Sequence, residues 1–150
     1  MSALILGLED MCRAKRMSTE ISGDCSQLHV TTKLRIEQES VYLQIYVEED
    51  KSEYRRYEFR ALAFEGELKT RLFNNMILAD FNRRVHSDIR LTVGLDGSFY
   101  FELERFFYDL SRFSVTEREL NEAMDVIICL EKFMQDNYSL LKSSIKKFAR

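Results

Sequence analysis

Residues 28–47 decide the fold, and they read LHVTTKLRIEQESVYLQIYV. Apolar side chains occupy every second position from Leu28 to Ile36 with one threonine among them, and polar side chains fill the alternate positions. The same alternation resumes at Val41 and runs to Val47 after the polar break at 37–40. A period of two residues is typical of a strand with one buried face. With a third strand predicted near Tyr54 to Phe64, the order indicates an antiparallel meander.

A second pair of strands is predicted around the Asp96-Gly97 dipeptide. The alternating apolar residues before it are Ile89, Leu91, Val93 and Leu95, and those after it are Phe99, Phe101 and Leu103. An Asp-Gly pair between two alternating runs is the strongest short hairpin signal in a sequence. We therefore expect a two-residue turn at this point.

Helices are predicted on either side of these strands. Residues Ala3 to Met17 carry one apolar stripe at helical spacing, and residues Glu67 to Val85 carry apolar side chains around the whole axis. The stripe predicts a helix that packs on the sheet by one side. The second helix is expected to be buried on both sides.

The last helix is predicted to begin at Ser114 or Thr116, each followed three residues later by a glutamate, which is the spacing of a capping box. Continued to Ala149, it would be about 50 Å long, whereas such a domain is only about 40 Å broad. Its end is therefore expected to bend, to fray or to meet another chain. That end is basic from about residue 139.

The predicted element order is αβββαββα, an α+β fold with helices on a single antiparallel sheet. The 150 residues are about one domain's worth of chain, and they contain no proline-rich or glycine-rich linker. We therefore expect one domain over residues 1–150, with a basic helical tail from about 139.

Composition excludes several classes of function. A formal net charge of −3 gives no general attraction for nucleic acid. The three cysteines Cys12, Cys25 and Cys129 are far apart, which favours reduced thiols. The apolar run from Ala3 to Leu8 is too short for a signal peptide or a membrane span. We expect a soluble cytoplasmic protein that neither binds nucleic acid nor inserts into a membrane.

The common catalytic and cofactor motifs are missing from the sequence. No glycine-rich phosphate loop, HExxH zinc motif or GxSxG elbow occurs, and His29 and His86 are expected on the surface. We predict no catalytic residue, no metal and no cofactor.

Two charged groups admit a functional interpretation, although solvated surface is the commoner explanation for both. Glu102 and Glu104 share a strand face, at a spacing that paired acid and base catalysis could use. Arg55, Arg56 and Arg60 alternate with tyrosines, as in a small nucleic-acid platform. Neighbouring acidic residues would largely cancel the field of the arginines.

Apolar surface is the more informative feature. Tyr42 and Tyr46 alternate onto the strand face opposite Val41, Leu43 and Ile45. Tyr100 likewise lies opposite Phe99 and Phe101, so both faces of the sheet carry rings. Together with the all-round apolar second helix, this pattern favours a protein interface. The alternative is that the other helices cover everything and the tyrosines are single exposed rings.

Residues 72–141 resemble the bacterial type III secretion chaperones of the Tir-chaperone-like class. The likeness lies in LFNNMILADFNRR at 72–84, SFYFELE at 98–104 and ELNEAMDVIICLEKF at 119–133. These segments fit a helix, a strand after an Asp-Gly turn, and an amphipathic closing helix. The sequence also resembles the YbjN-like regulatory domains of the same fold.

The resemblance implies a non-enzymatic chaperone in the bacterial cytoplasm that keeps a secreted effector protein export-competent. It implies a homodimer, with an extended N-terminal effector segment wrapped around it. The implied effector-binding residues are Leu4, Leu8, Tyr42, Tyr46, Tyr57 and Phe59. The implied dimer-interface residues are Leu72, Phe73, Met76, Ile77, Ile89 and Leu91.

Two other functions are compatible with the sequence. A YbjN-like protein would act on signalling or transcriptional partners rather than on export cargo. A small-ligand or catalytic domain would use a pocket on the sheet, with histidine, cysteine and carboxylate groups converging in it.

Overall fold

The computed structural model describes residues 2–50, 55–65, 71–107 and 114–148. The elements are α1 (Ala3–Ala14), β1 (Ser18–Ser22), β2 (Gln27–Ile36), β3 (Glu39–Glu49), β4 (Arg56–Phe64), α2 (Arg71–Arg84), β5 (Arg90–Val93), β6 (Phe99–Phe106) and α3 (Glu117–Phe148). The six strands form one sheet in the order β1-β2-β3-β4-β6-β5, and every neighbouring pair is antiparallel. The predicted α+β class with helices on a single antiparallel sheet is confirmed.

One strand is absent from the predicted order. β1 pairs with β2 from Ser18↔Thr31 to Ser22↔Gln27, so the observed order is αββββαββα. Its sequence, STEIS, has one large apolar residue, Ile21. An edge strand is held by main-chain hydrogen bonds to its neighbour, and these leave little trace in the side-chain pattern.

The hairpin between β5 and β6 lies where the Asp-Gly pair predicts it, but the turn is longer than expected. The Gly97 amide donates to the Gly94 carbonyl (3.1 Å), and the Gly94 amide donates to the Ser98 carbonyl (2.9 Å). A two-residue turn of the usual hairpin type needs a positive φ at both central residues, and of this pair only Gly97, at +83°, has one. The loop therefore has three residues, 95–97, and the prediction of a two-residue turn is wrong.

The core lies between one face of the sheet and helices α1 and α3. Alternate residues of the strands point into it, and Leu43, Phe59 and Phe101 are completely buried. The ring of Phe101 packs on Phe81 of α2 (5.7 Å between centroids) and on Phe133 of α3 (4.9 Å). These ring contacts join the sheet to both α2 and α3.

The N-terminus of α3 has the predicted capping box, and Thr116 is the cap. The Glu119 amide donates to Thr116 Oγ1 (3.2 Å), and the Thr116 amide donates to Glu119 Oε1 (3.3 Å). Glu119 is also ion-paired with the buried guanidinium of Arg55. The cap thus joins α3 to the start of β4.

The far end of α3 stays helical within the described residues, as far as Phe148, so fraying is not seen there. Its Leu141 and Ile145 are buried, because α2 packs alongside this part of the helix. The length of α3 is thus accommodated inside one chain. None of the described helices combines the length and the apolar character that a membrane crossing requires.

Helix α2 is covered on one side only by the described residues. Ile77 and Phe81 are buried, whereas Leu72 is 67% exposed and Met76 is 39% exposed. The expected burial on both sides is therefore wrong for residues 71–84. The predicted first turn, residues 67–70, lies outside the described residues.

Candidate protein-binding surface

The sheet face away from α1 and α3, here called the open face, is not covered by a described helix. Side chains from all six strands meet there in register. One row across the sheet consists of Glu20, His29, Tyr46, Arg60, Glu102 and Arg90. Polar and aromatic groups of this kind tolerate water and still offer rings and charges to a partner.

A break in the pairing divides the sheet between β3 and β4. β3 pairs with β2 along all but its last residue, from Glu39↔Ile36 to Glu48↔Gln27. It pairs with β4 only from Ile45↔Ala61 to Glu49↔Tyr57. Residues 39–44 of β3 therefore have no strand partner on the β4 side among the described residues. We call this opening the strand gap.

The strand gap is a groove of about 340 Å³. Its walls are Val41, Tyr42, Gln44, Leu62, Ala63, Phe64 and Glu65, and its floor is Met134 and Tyr138 of α3. Tyr42 is 67% exposed at its rim. The groove thus combines an apolar floor with a strand edge whose amides and carbonyls are open to a new partner.

A pocket of about 330 Å³ lies on the open face, beside the strand gap. The His29 and Tyr46 rings are stacked in it, with centroids 4.6 Å apart and planes 3° from parallel. The edge of Tyr100 meets Tyr46 at 6.4 Å. Partial burial, and after it the neighbouring Tyr100, Glu65 and Asp96, raise the pKa of Tyr46. Its hydroxyl is therefore neutral at physiological pH, and it donates to Gln44 Oε1 (3.0 Å).

An acidic trio of Glu58, Glu102 and Glu104 lies next to this pocket, with one oxygen of each within 4.8 Å of the others. Partial burial, followed by the charges of Glu102 and Glu104, raises the pKa of Glu58. Arg56 is ion-paired with Glu104, and Arg60 lies 3.6 Å from Glu102. The chain's own arginines supply counter-charge to these carboxylates, and we assign no catalytic role to Glu102 and Glu104.

The three arginines singled out in the sequence do not share one surface. Arg56 and Arg60 are on the open face, where Arg60 lies 4.3 Å above the ring of Tyr100. The side chain of Arg55 is 2% exposed and is held by Glu119 and the Phe107 carbonyl. Burial of Arg55 therefore removes it from any cationic surface that Arg56 and Arg60 could form on the open face.

Of the residues that the resemblance assigns to effector binding, only two have accessible side chains. Tyr42 is exposed at the strand gap and Tyr46 is half-buried in the open-face pocket. The other four, Leu4, Leu8, Tyr57 and Phe59, are at most 2% exposed in the core. An effector can reach these four only if the core opens.

The residues assigned to the dimer interface divide in the same way. Leu72 and Met76 are exposed on α2, and Phe73 beside them is half-buried. Ile77, Ile89 and Leu91 are buried inside the chain. The dimer assignment accordingly depends on the outer strip of α2, which we define as Leu72, Phe73 and Met76.

Sequence reasoning missed the walls of the strand gap on β4 and the acidic rim of the open-face pocket. Leu62 and Phe64 belong to the first, and Glu20 and Glu48 to the second. The alternation of β4 already placed Leu62 on the open face. Nothing local in the sequence could show that β3 and β4 part at Ile45.

The cysteines do not form a reactive centre. Cys12 is buried beside Met124, and burial, followed by the charge of Glu131, raises the pKa of its thiol to about 11. A thiol in this state is a poor nucleophile, because the thiolate is the reactive form. Cys25 is half-buried and Cys129 is exposed, and both are free thiols.

Comparisons with known proteins add little to this geometry. No protein-family model matches the chain, and no curated protein matches it. The chain is similar to one in the solved structure of the HopA1-SchA chaperone-effector complex, at 14% identity and a TM-score of 0.44. The alignment covers 87% of this chain and 91% of that one. A likeness at this level does not define a function.

Proposed function

We propose that this protein binds an extended segment of a partner polypeptide without catalysing a reaction, as a secretion chaperone does for its effector. The observation that carries the proposal is the strand gap. There, the β4-facing edge of β3 has no strand partner over residues 39–44 among the described residues, and it lies above an apolar floor.

An extended chain matches both features of the gap. Its main chain pairs with the amides and carbonyls of β3, and its alternate side chains point toward Met134 and Tyr138. Six residues of strand edge correspond to about 20 Å of extended chain, at about 3.3 Å per residue. This pairing keeps the bound segment unfolded, which is the state that export requires.

Ordering a flexible segment costs conformational entropy, so the contact has to be broad. A second copy would double the surface offered to the partner. We infer a homodimer that forms through the outer strip of α2, since Leu72 and Met76 there are large apolar side chains without cover from the described residues. The effector and the dimer together form the proposed assembly in the bacterial cytoplasm.

The test is capture of a secreted protein by the purified chain, followed by mapping of the bound segment. We expect one secreted protein to be recovered through its N-terminal region and the amides of residues 39–44 to become protected from hydrogen exchange. Tyr42→Ser is expected to weaken binding about tenfold, as for loss of a central interface ring. The matched control is Phe106→Ser, which removes another half-exposed strand ring away from the gap.

Two results would contradict the proposal. One is recovery of no secreted protein under conditions in which the chain is folded. The other is equal weakening by Tyr42→Ser and Phe106→Ser, with no protection of residues 39–44, since that pattern would place the partner elsewhere.

A further inference from the structure

The open-face pocket carries two carboxylates that no cation of the described residues neutralises. Glu20 of β1 lies opposite His29 in the register, and Glu48 of β3 lies opposite Gln27. Glu48 accepts a neutral hydrogen bond from the Gln27 amide (3.1 Å), and neither glutamate has an ion-pair partner in the described part of the chain. They flank the stacked ring of His29 on both sides of β2.

Arg60, the cationic residue that lines the pocket, already contacts a carboxylate and an aromatic ring of the same chain. Arg60 Nε lies 3.6 Å from Glu102, and the Arg60 guanidinium carbon lies 4.3 Å above the Tyr100 ring. With Arg60 paired, the charge left among the described residues that line the pocket is the negative charge of Glu20 and Glu48. This negative charge would repel an anionic ligand and attract a cationic one.

The rings decide which kind of cation fits. His29 and Tyr46 are stacked on each other with their planes 3° from parallel, so each ring keeps one outer face, and the plane of Tyr100 lies at 70° to that of Tyr46. A planar guanidinium stacks on such faces and donates to two carboxylates at once, whereas a compact ammonium does neither as well. The volume of about 330 Å³ holds a guanidinium and a short alkyl stem.

We propose that the open-face pocket binds a guanidinium group between Glu20 and Glu48, against the His29–Tyr46 stack. The group belongs either to an arginine side chain of a bound polypeptide or to a small free guanidinium compound. The first source rests on the proposed function, in which the protein binds a partner polypeptide. A part of that polypeptide outside the strand gap would then lie along β1. That strand is the edge of the sheet and has no neighbour on its outer side among the described residues.

The direct test is calorimetric titration with butylguanidinium and with butylammonium as probes. We expect saturable binding of butylguanidinium, with butylammonium binding at least about fivefold more weakly. Glu20→Gln and Glu48→Gln are each expected to weaken butylguanidinium binding about fivefold. Glu39→Gln is the matched control, since it removes an exposed carboxylate of β3 outside the pocket and should leave binding unchanged.

A second arm identifies the source of the guanidinium. The probes are the acetylated and amidated peptide Thr-Val-Arg-Val-Thr and N-acetylarginine amide. Peptide binding about tenfold tighter than that of the single residue assigns the site to a polypeptide that pairs with β1. Equal binding of the two assigns it to a small free compound.

The inference is overturned if binding of butylguanidinium does not saturate by about 10 mM, because the dissociation constant would then be higher than that of a specific site of this size. It is also overturned if Glu20→Gln and Glu48→Gln bind it as well as the native chain does. Neither outcome touches the proposed function, because Tyr42→Ser acts at the strand gap. Conversely, loss of partner binding in Tyr42→Ser should leave butylguanidinium binding intact.

Discussion

The Ser144 hydroxyl on α3 donates a 2.8 Å hydrogen bond to Asp80 Oδ2 on α2, and both side chains are buried. Lys147 Nζ reaches the other carboxylate oxygen at 3.4 Å. Arg83 and Arg84 lie 3.3 and 3.6 Å from the same oxygen. One carboxylate therefore holds the end of the long α3 against α2.

Asp80→Asn is expected to lower the free energy of unfolding by about 1–3 kcal/mol at pH 7, the range for hydrogen bonds to a charged group. Burial of Asp80 raises its pKa, but the hydrogen bonds from Ser144 and Lys147 and the charge of Arg84 outweigh burial, and the net shift is downward. Urea unfolding measures the loss. Asp125→Asn, at an exposed position of α3, is the control and should change little.

The lowered pKa of Asp80 also predicts how the stability of the chain depends on pH. Because the folded-state pKa of Asp80 lies below the unfolded value of about 3.9, its contribution is complete above about pH 5. The contribution is lost as the pH falls through the folded-state pKa. The gap in stability between the native chain and Asp80→Asn should therefore narrow below about pH 4. A gap that stays constant down to pH 2 would show that the Asp80 charge has no part in the effect.

Glu119→Ala should be strongly destabilising, at about 3–5 kcal/mol, because it removes a carboxylate that is ion-paired with the buried guanidinium of Arg55. It also removes half of the capping box of α3. Glu122→Ala breaks only the exposed pair with Arg118 and should cost less than about 1 kcal/mol. Urea unfolding of both variants measures the two losses in the free energy of unfolding. Equal losses would contradict a stabilising role for the buried pair of Arg55 and Glu119.

The three thiols should react in an order set by burial. Cys129 is exposed and should be alkylated first, followed by the half-buried Cys25. Cys12, with a pKa of about 11, should stay unmodified in the folded chain and react only after denaturation. Mass spectrometry of the chain after timed iodoacetamide treatment measures the order. Early modification of Cys12 would show that α1 opens readily from the core.

Leu72→Lys and Met76→Lys should each shift the proposed homodimer toward monomer, since a lysine cannot be buried in an apolar contact without a partner charge. Sedimentation at micromolar concentration measures the change. Ile128→Lys, which alters another exposed apolar residue on α3, is the control and should leave the association unchanged. A native chain that sediments as a monomer would refute the dimer.

The Gly97→Ala variant should lose about 1–2 kcal/mol, because φ at this position is +83° and a side chain is strained there. Leu95→Ala in the same loop removes a fully exposed side chain and should cost little. Thermal unfolding of the two variants separates the backbone effect from the side-chain effect. Equal stability of the two would show that the loop adopts another turn.

Most of the strands and helices could be predicted from local patterns, since alternation and helical spacing are properties of neighbouring residues. The spacing of Thr116 and Glu119 predicted the start of α3, and the Asp96-Gly97 pair predicted the hairpin. The polar edge strand β1 could not be predicted, because its pairing partner and not its own side chains holds it in place. The burial of Leu4, Leu8 and Phe59 was missed for a related reason. The sequence pattern shows that a residue is apolar, but it does not show whether another part of the same chain or a partner protein covers that residue.

The sequence by itself determined the α+β class, the antiparallel strands and the apolar faces, because each depends on residue periods of 2 or 3.6. Only the tertiary structure decided where β3 and β4 part at Ile45, which glutamates surround His29, and which side of α2 stays uncovered. These features depend on the register between distant segments and on the packing of α3 beneath the sheet. Contacts of that range are fixed by the whole core, and the sites proposed here arise where the core leaves an edge or a face unused.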